Sequence, residues 1–258
     1  MRPHRPLAAC AFAVTLALPL GLVRPTAAAA QALTLPPATY PTLPAHGAAV
    51  EDFSPRGWTV EYKATGDLNR DGAEDVALVL HETDPAKVLK GTPIGLDPFD
   101  TNPRMLVVLF RNTRGGYDLA LADHSLIRRS TEPNLDDVLE GSKGPVIRNG
   151  ALKIDLHLFA NAGGWTTGAY GFTFRWQDGR FRLIGYDAST VQRNSGETAG
   201  VSINYLTFNE KLSKGRIDKD GDKVRWRTIS QRSLLALEQI GDGIDFDPDH
   251  AAAAPAGR

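Results

Sequence analysis

The chain has 258 residues, 29 Lys+Arg against 30 Asp+Glu, and a single cysteine. So balanced a charge argues against nucleic acid as a partner, and one cysteine excludes a disulfide framework. The length suits one domain or two small ones with a sizeable buried core.

Arg2 and Arg5 precede an apolar stretch from Leu7 to Val23 that closes on the small residues Ala27 to Ala32. This is the form of a secretory signal peptide over residues 1–32, with an A-x-A cleavage site after Ala30 or Ala32. The stretch contains Pro19 and Gly21, and no later run reaches the roughly 18 apolar residues of a membrane span. Leu7-Ala8-Ala9-Cys10 has the form of a lipobox, but most of the apolar core follows Cys10, which argues against a lipid anchor there. The expected mature chain is a monomer of the periplasm or cell exterior, without a transmembrane segment. Loss of Arg2, Arg5 and Arg24 takes the 29 basic residues to 26 against 30 acidic, and leaves no cysteine. An exported protein without disulfides needs another staple, and a metal ion can serve.

Residues 33–56 are rich in Pro and Ala, with Pro36, Pro37, Pro41, Pro44 and Pro55 interrupting any regular element. They read as an extended spacer. A β-rich domain is expected over 57–241, beginning with the alternation of Thr59 to Lys63. Next comes Asp67-Leu68-Asn69-Arg70-Asp71-Gly72-Ala73-Glu74-Asp75, with oxygen side chains at positions 1, 3, 5 and 9 and glycine at 6. Ca²⁺ takes six to eight oxygens, and this spacing offers Asp67, Asn69, Asp71, the Ala73 carbonyl and Asp75 as metal ligands, while Gly72 allows the sharp turn. Asp, Asn and Gly are also the residues of ordinary turns.

Val76 to Leu80, Leu106 to Phe110 and Tyr117 to Leu121 read as strands, the last two joined by the turn Asn112 to Gly116, so that four strands form an antiparallel meander. After a loop from Ser130 to Pro145, Leu152 to Leu158 sets Lys153, Asp155 and His157 on its polar face. Tyr170, Phe172, Phe174 and Trp176 make an aromatic face, and Asp178-Gly179 turns the chain back into Phe181 to Tyr186. Val201 to Phe208 and Val224 to Ile229 add strands, and Ser233 to Ile240 reads as a short C-terminal helix capped by Gly241. Residues 242–258 read as an acidic, Ala-rich disordered tail.

Phe53-x-Pro55-x-Gly57-Trp58 followed by Gly66-Asp67-x-Asn69-x-Asp71-Gly72-x-x-Asp75 resembles exported bacterial proteins described as FG-GAP or VCBS repeat-containing. Asn161 to Trp165, Phe174-Arg175-Trp176 and Leu183 to Asp187 extend the likeness to an uncharacterised subgroup. The resemblance implies a structural Ca²⁺ at Asp67, Asn69, Asp71, Ala73 and Asp75, between adjacent strands of a β-sheet unit. It departs from the family's propellers in having one full calcium loop. The expected fold class is all-β, with antiparallel meander sheets that are propeller-blade-like or sandwich-like.

Two other features could carry chemistry. Trp165, Thr166 and Thr167 lie between Gly163-Gly164 and Gly168, where a mobile loop could offer an aromatic ring and two hydroxyls to a ligand, or fold the ring back on the neighbouring strand. His157 beside Asp155 has the types of a general base and its orienting carboxylate, a pair that also occurs on ordinary surfaces. Trp58 and Trp226 read as core or sheet-face residues. Asp218 to Asp222 is a second acidic turn, with Lys219 and Lys223 beside it. No G-x-S-x-G elbow, H-E-x-x-H helix or phosphate loop occurs. The expected function is a non-catalytic binding or interaction module with an unknown protein or glycan partner. The alternative is a calcium-dependent hydrolase of glycans or peptides.

Overall fold

β-branched and aromatic runs punctuated by Gly, Asn and Asp turns favour strands throughout. The computed structural model, which describes residues 33–230 and 233–251, is all-β and antiparallel. The expected signal peptide, Cys10 and the end of the tail lie outside the described residues. From Leu35 the described residues make one compact unit. The first sheet has the order β1-β7-β6-β3-β2, built from β1 (His46–Gly47), β2 (Trp58–Gly66), β3 (Asp75–Glu82), β6 (Arg104–Arg111) and β7 (Tyr117–Asp123). β4 (Val88–Leu89) and β5 (Phe99–Asp100) form a separate ribbon between β3 and β6 in the chain. The second sheet runs in unbroken sequence order from β8 (Val146–Arg148) and β9 (Ala151–Phe159) through β10 (Thr166–Gln177), β11 (Arg180–Gln192), β12 (Glu197–Asn204) and β13 (Asn209–Arg216) to β14 (Lys223–Thr228).

The expected four-strand meander is β2-β3-β6-β7. The Asp178-Gly179 turn is tight, with both residues at positive φ (51° and 72°), as a two-residue hairpin requires.

Residues of successive parity in β3 serve two cores. Ala77 and Val79, with Leu106 and Val108 of β6, face Leu152, Ile154, Phe172, Phe174 and Leu183 of the second sheet. Val76, Leu78 and Leu80 face the other way, against Leu43, Val50, Phe53 and Trp58. The first sheet is therefore covered on both faces, which is why its central strands read as continuous apolar runs rather than as alternation. Sandwich-like packing of two sheets over a common core replaces any ring of propeller blades.

Three boundary expectations are corrected. The segment 33–56 is not wholly a spacer: Leu43, Val50 and Phe53 are buried, and β1 pairs with β7. Proline denies this segment a long ladder, yet the apolar residues between the prolines still cap a sheet face that would otherwise be bare. Ser233 to Ile240 is not a helix. The Leu235 carbonyl accepts from the Leu183 N–H at 2.8 Å and Ala236 bridges to Arg182, before a single 3-10 turn over Leu237–Gln239. β12 stops pairing with β11 at Gly185, so the first half of β11 has a free edge, and filling it outweighs helix propensity. The tail begins as structure, because Ile244 and Phe246 are buried and the Phe246 ring sits edge-on to Phe172 and Tyr186. The only α-helical turn among the described residues is α1 (Pro248–Ala251).

Candidate functional site

The Asp67–Asp75 loop lies between β2 and β3, as expected of a loop between adjacent strands. Arg70 and Gly72 take positive φ (64° and 86°), which winds the backbone around the side-chain oxygens. Asp67 accepts from the Arg70 N–H (2.6 Å) and the Gly72 N–H (3.0 Å). Asn69 Oδ1 accepts from the Asp71 N–H (3.0 Å), and Asp71 Oδ1 from the Ala73 N–H (2.8 Å). Asn69 Nδ2 donates to Asp71 Oδ2 at 2.9 Å. The bonds from the Ala73 N–H and then the Asn69 amide hold the Asp71 carboxyl below the usual aspartate range.

Asp75 does something else. It is fully buried, its Oδ2 accepts from the Leu68 and Asn69 N–H groups (2.8 and 3.3 Å), and its Oδ1 accepts from the Arg111 N–H of β6 (3.0 Å). Burial pushes its carboxyl up, against the downward pull of those three backbone donors, with the Asp71 charge adding to the rise. With Leu68 in the main core, Asp75 fixes both ends of the loop.

The donor set is all hard oxygen, which suits Ca²⁺. Asp67, Asn69 and Asp71 are drawn together by the loop's own bonds, whereas Asp75 is turned to backbone amides. No three carboxylate, imidazole or thiol side chains converge as a metal-holding group among the described residues. A second-strand pull on the acidic turn is also explained without metal: Arg216 donates to both oxygens of Asp218 (2.8 and 3.1 Å) and lowers its pKa.

The Trp165 loop splits its three candidates. The Trp165 ring is 62% exposed, while Thr166 Oγ1 accepts from Gln192 Nε2 (2.8 Å) and Thr167 Oγ1 donates to the Leu158 carbonyl (2.9 Å). Both hydroxyls thus serve the sheet, and the ring alone is presented. Arg193 holds the loop, stacking over Phe159 at 4.2 Å and donating to the Ala160 and Gly164 carbonyls. His157 and Asp155 share a sheet face, but Asp155 pairs with Lys153 Nζ (3.0 Å) and the His157 ring lies parallel to Phe159. Trp58 is core and Trp226 is an exposed sheet-face residue at 67%.

Two groupings escape a reading of the sequence. In the first, a bulge between Val60 and Tyr62 re-aims Glu61 so that its carboxylate receives Arg104 Nε (2.6 Å) and Nη2 (2.9 Å). Asp137 adds a contact at 2.8 Å, and His81 lies 3.9 Å from Glu61 and 3.8 Å from Asp100. Arg104 is nearly fully buried; burial opposes its charge, but the two carboxylates more than offset this and raise its pKa. In the second, the outer face of the second sheet aligns Asp155, Gly171, Asp187, Ser202, Lys211 and Trp226 in one cross-strand row. A shallow trough of about 380 Å³ opens along the part of this row from Asp155 to Lys211. Alternation within each strand was legible, but the register that sets these six side by side is not written in any one segment.

Comparison with protein-family models, with curated proteins and with solved structures gives no match.

Proposed function

We propose that this chain is an exported, non-catalytic binding module of the bacterial envelope, monomeric, with a structural Ca²⁺ held by Asp67, Asn69, Asp71, the Ala73 carbonyl and Asp75. The observation that carries the binding reading is the asymmetry of the sheets. Both faces of the first sheet are covered, whereas the outer face of the second leaves Asp155, Asp187, Lys211 and Trp226 exposed. A partner, protein or glycan, has that face available. The calcium reading is supported by the ligand spacing, the all-oxygen donor set and the likeness to FG-GAP and VCBS repeat proteins.

The competing reading, a calcium-dependent hydrolase, would use carboxylates such as Asp155 and Asp187. Their exposure favours binding, because the general acid of a glycoside hydrolase works from buried, apolar surroundings and these carboxylates stand in solvent.

Thermal melts of the chain from Leu33 onward test the staple. In 10 mM Ca²⁺, a site of the weak extracellular kind would be 10- to 100-fold saturated and stabilise the fold by about 1.4–2.7 kcal/mol. That corresponds to a rise of roughly 3–10 °C over EDTA, with no comparable rise in Mg²⁺. Equal melting in all three would reduce the loop to a turn. Incubation with labelled glycans and peptides separates the two functions: retention of intact ligand supports the binder, and bond cleavage the hydrolase.

A further inference from the structure

Strand-interior glycines weaken a sheet unless something needs the space they leave. On the outer face of the second sheet, Gly171 of β10 and Gly200 of β12 are such positions. A Cβ at Gly171 would lie 2.9 Å from Asp155 Oδ1, and one at Gly200 would lie 2.5 Å from Ser213 Oγ. The carboxylate of Asp155, with its ion-pair partner Lys153 (Cε 3.7 Å from the same point above Gly171), and the hydroxyl of Ser213 therefore lean inward over the glycine backbone, one from each side of the trough. Asp187, between them, has its Cβ only 3.9 Å from the same point above Gly171. Polar atoms border a floor of small residues, Gly171, Gly200, Ala169 and Ser189, in an open trough of about 380 Å³.

The groups around this space are of mixed kind. Asp187 and Lys211 are exposed and, among the described residues, neither side chain has a hydrogen-bond or ion-pair partner. Ser202 stands between them in the row, and Trp226 follows Lys211 at the next strand with its ring in solvent. At about 4.8 Å per strand, the row from Asp155 to Trp226 is roughly 24 Å long. We propose that this row is a binding site for a neutral, hydroxyl-rich oligosaccharide. The proposal rests on the binding-module reading and names its ligand class.

The chemistry selects the occupant. A sugar hydroxyl both donates and accepts, so one ligand satisfies the acceptor Asp187, the donor Lys211 and the serines without carrying charge of its own. The C–H face of a pyranose ring stacks on an indole, which gives exposed Trp226 a partner. A peptide strand meets less here, since Gly171, Asp187, Ser202 and Lys211 are each paired to a neighbouring strand on both sides, and the face along the row offers side chains but no free ladder. A lipid tail would find serines and charges where it needs carbon.

The test is a titration of the full mature chain, with and without Ca²⁺, against cellotetraose, maltotetraose and chitotetraose, read by tryptophan fluorescence and calorimetry. Extended Lys-Ser and Glu-Ser peptides are titrated in parallel. One saccharide is expected to bind, with Trp226→Ala and Asp187→Asn each weakening it at least tenfold. Both residues are exposed, and unchanged melting of the variants checks the fold. Saccharide binding that survives both substitutions, or that is lost with Trp165→Ala instead, overturns the site while leaving a binding module. Binding of peptides alone overturns the saccharide class and likewise leaves the module. Absence of binding by either class overturns the inference, and the calcium melt still reports separately on the staple.

Discussion

Arg104 on β6 and Glu61 in the β2 bulge form a two-pronged ion pair, at 2.6 and 2.9 Å, across 43 residues of chain. The Arg104 side chain is 6% exposed and that of Glu61 25%, so the pair sits at the edge of the protein interior rather than in solvent. Removing one partner leaves a buried charge with too few contacts. Glu61→Ala should cost about 3 kcal/mol in urea unfolding, because Asp137 alone then holds Arg104. Glu61→Gln, which keeps the shape and one acceptor, should cost less. A loss under 1 kcal/mol for the alanine variant would mean that solvent replaces the carboxylate freely.

Asp75 and Asp71 are separable by the same method. Asp75→Ala leaves the N–H groups of Leu68, Asn69 and Arg111 without their acceptor, and should destabilise by about 2–4 kcal/mol with or without calcium. Asp71→Ala breaks only bonds inside an exposed loop. It should change stability in EDTA by less than about 1 kcal/mol while removing the calcium-dependent rise in melting temperature. Loss of that rise in neither variant would take the metal away from this loop.

The Asp75 carboxyl should titrate above the ordinary aspartate value of 3.8 in metal-free protein, burial being the main cause. The native state then binds this proton more tightly than the unfolded chain does. Its contribution to stability is full below the unfolded pKa and is lost as pH rises through the folded one. Calcium at the loop would favour the ionised form and move the midpoint down. Carboxyl-carbon NMR of Asp75 in EDTA and in calcium reads both; a metal-free midpoint at or below 3.8 would contradict the buried environment.

Tyr205 is 1% exposed and its hydroxyl has no hydrogen-bond partner among the described residues. Burial pushes its pKa far up, with the nearby Tyr186 and Glu210 adding to it. Tyr205→Phe deletes a desolvated polar atom and keeps the ring, so it should leave stability unchanged or raise it by about 1 kcal/mol. A loss of more than about 1 kcal/mol in the variant would reveal a water bridging that hydroxyl.

Composition and periodicity made the strands, the meander, the Asp178-Gly179 hairpin and the acidic loop legible, because each is encoded within a dozen residues. What escaped depends on pairing between distant segments. Leu235 and Ala236 look helical until the free edge of β11 claims their backbone, and Glu61 looks like any exposed strand glutamate until the bulge turns it toward Arg104. In the tail, a run of aspartates hides the two apolar residues, Ile244 and Phe246, that enter the core. Of the loop candidates, Trp165 is exposed as a ligand platform would need, but Thr166 and Thr167 are committed to sheet hydrogen bonds that only the register of β9, β10 and β11 reveals.

The lap of chain from Leu43 to Phe53 also governs how the protein behaves as a colloid. Beneath it lie Val76, Leu78, Leu80, Met105, Val107 and Leu109, a dry stripe across the middle of a twisted sheet. A protease cut within this lap, or a chain trimmed to start at Gly57, would turn that stripe outward on strands that are already paired. The product would keep the exposed face of its second sheet and is expected to precipitate, so the proline-rich segment would act as a guard against aggregation.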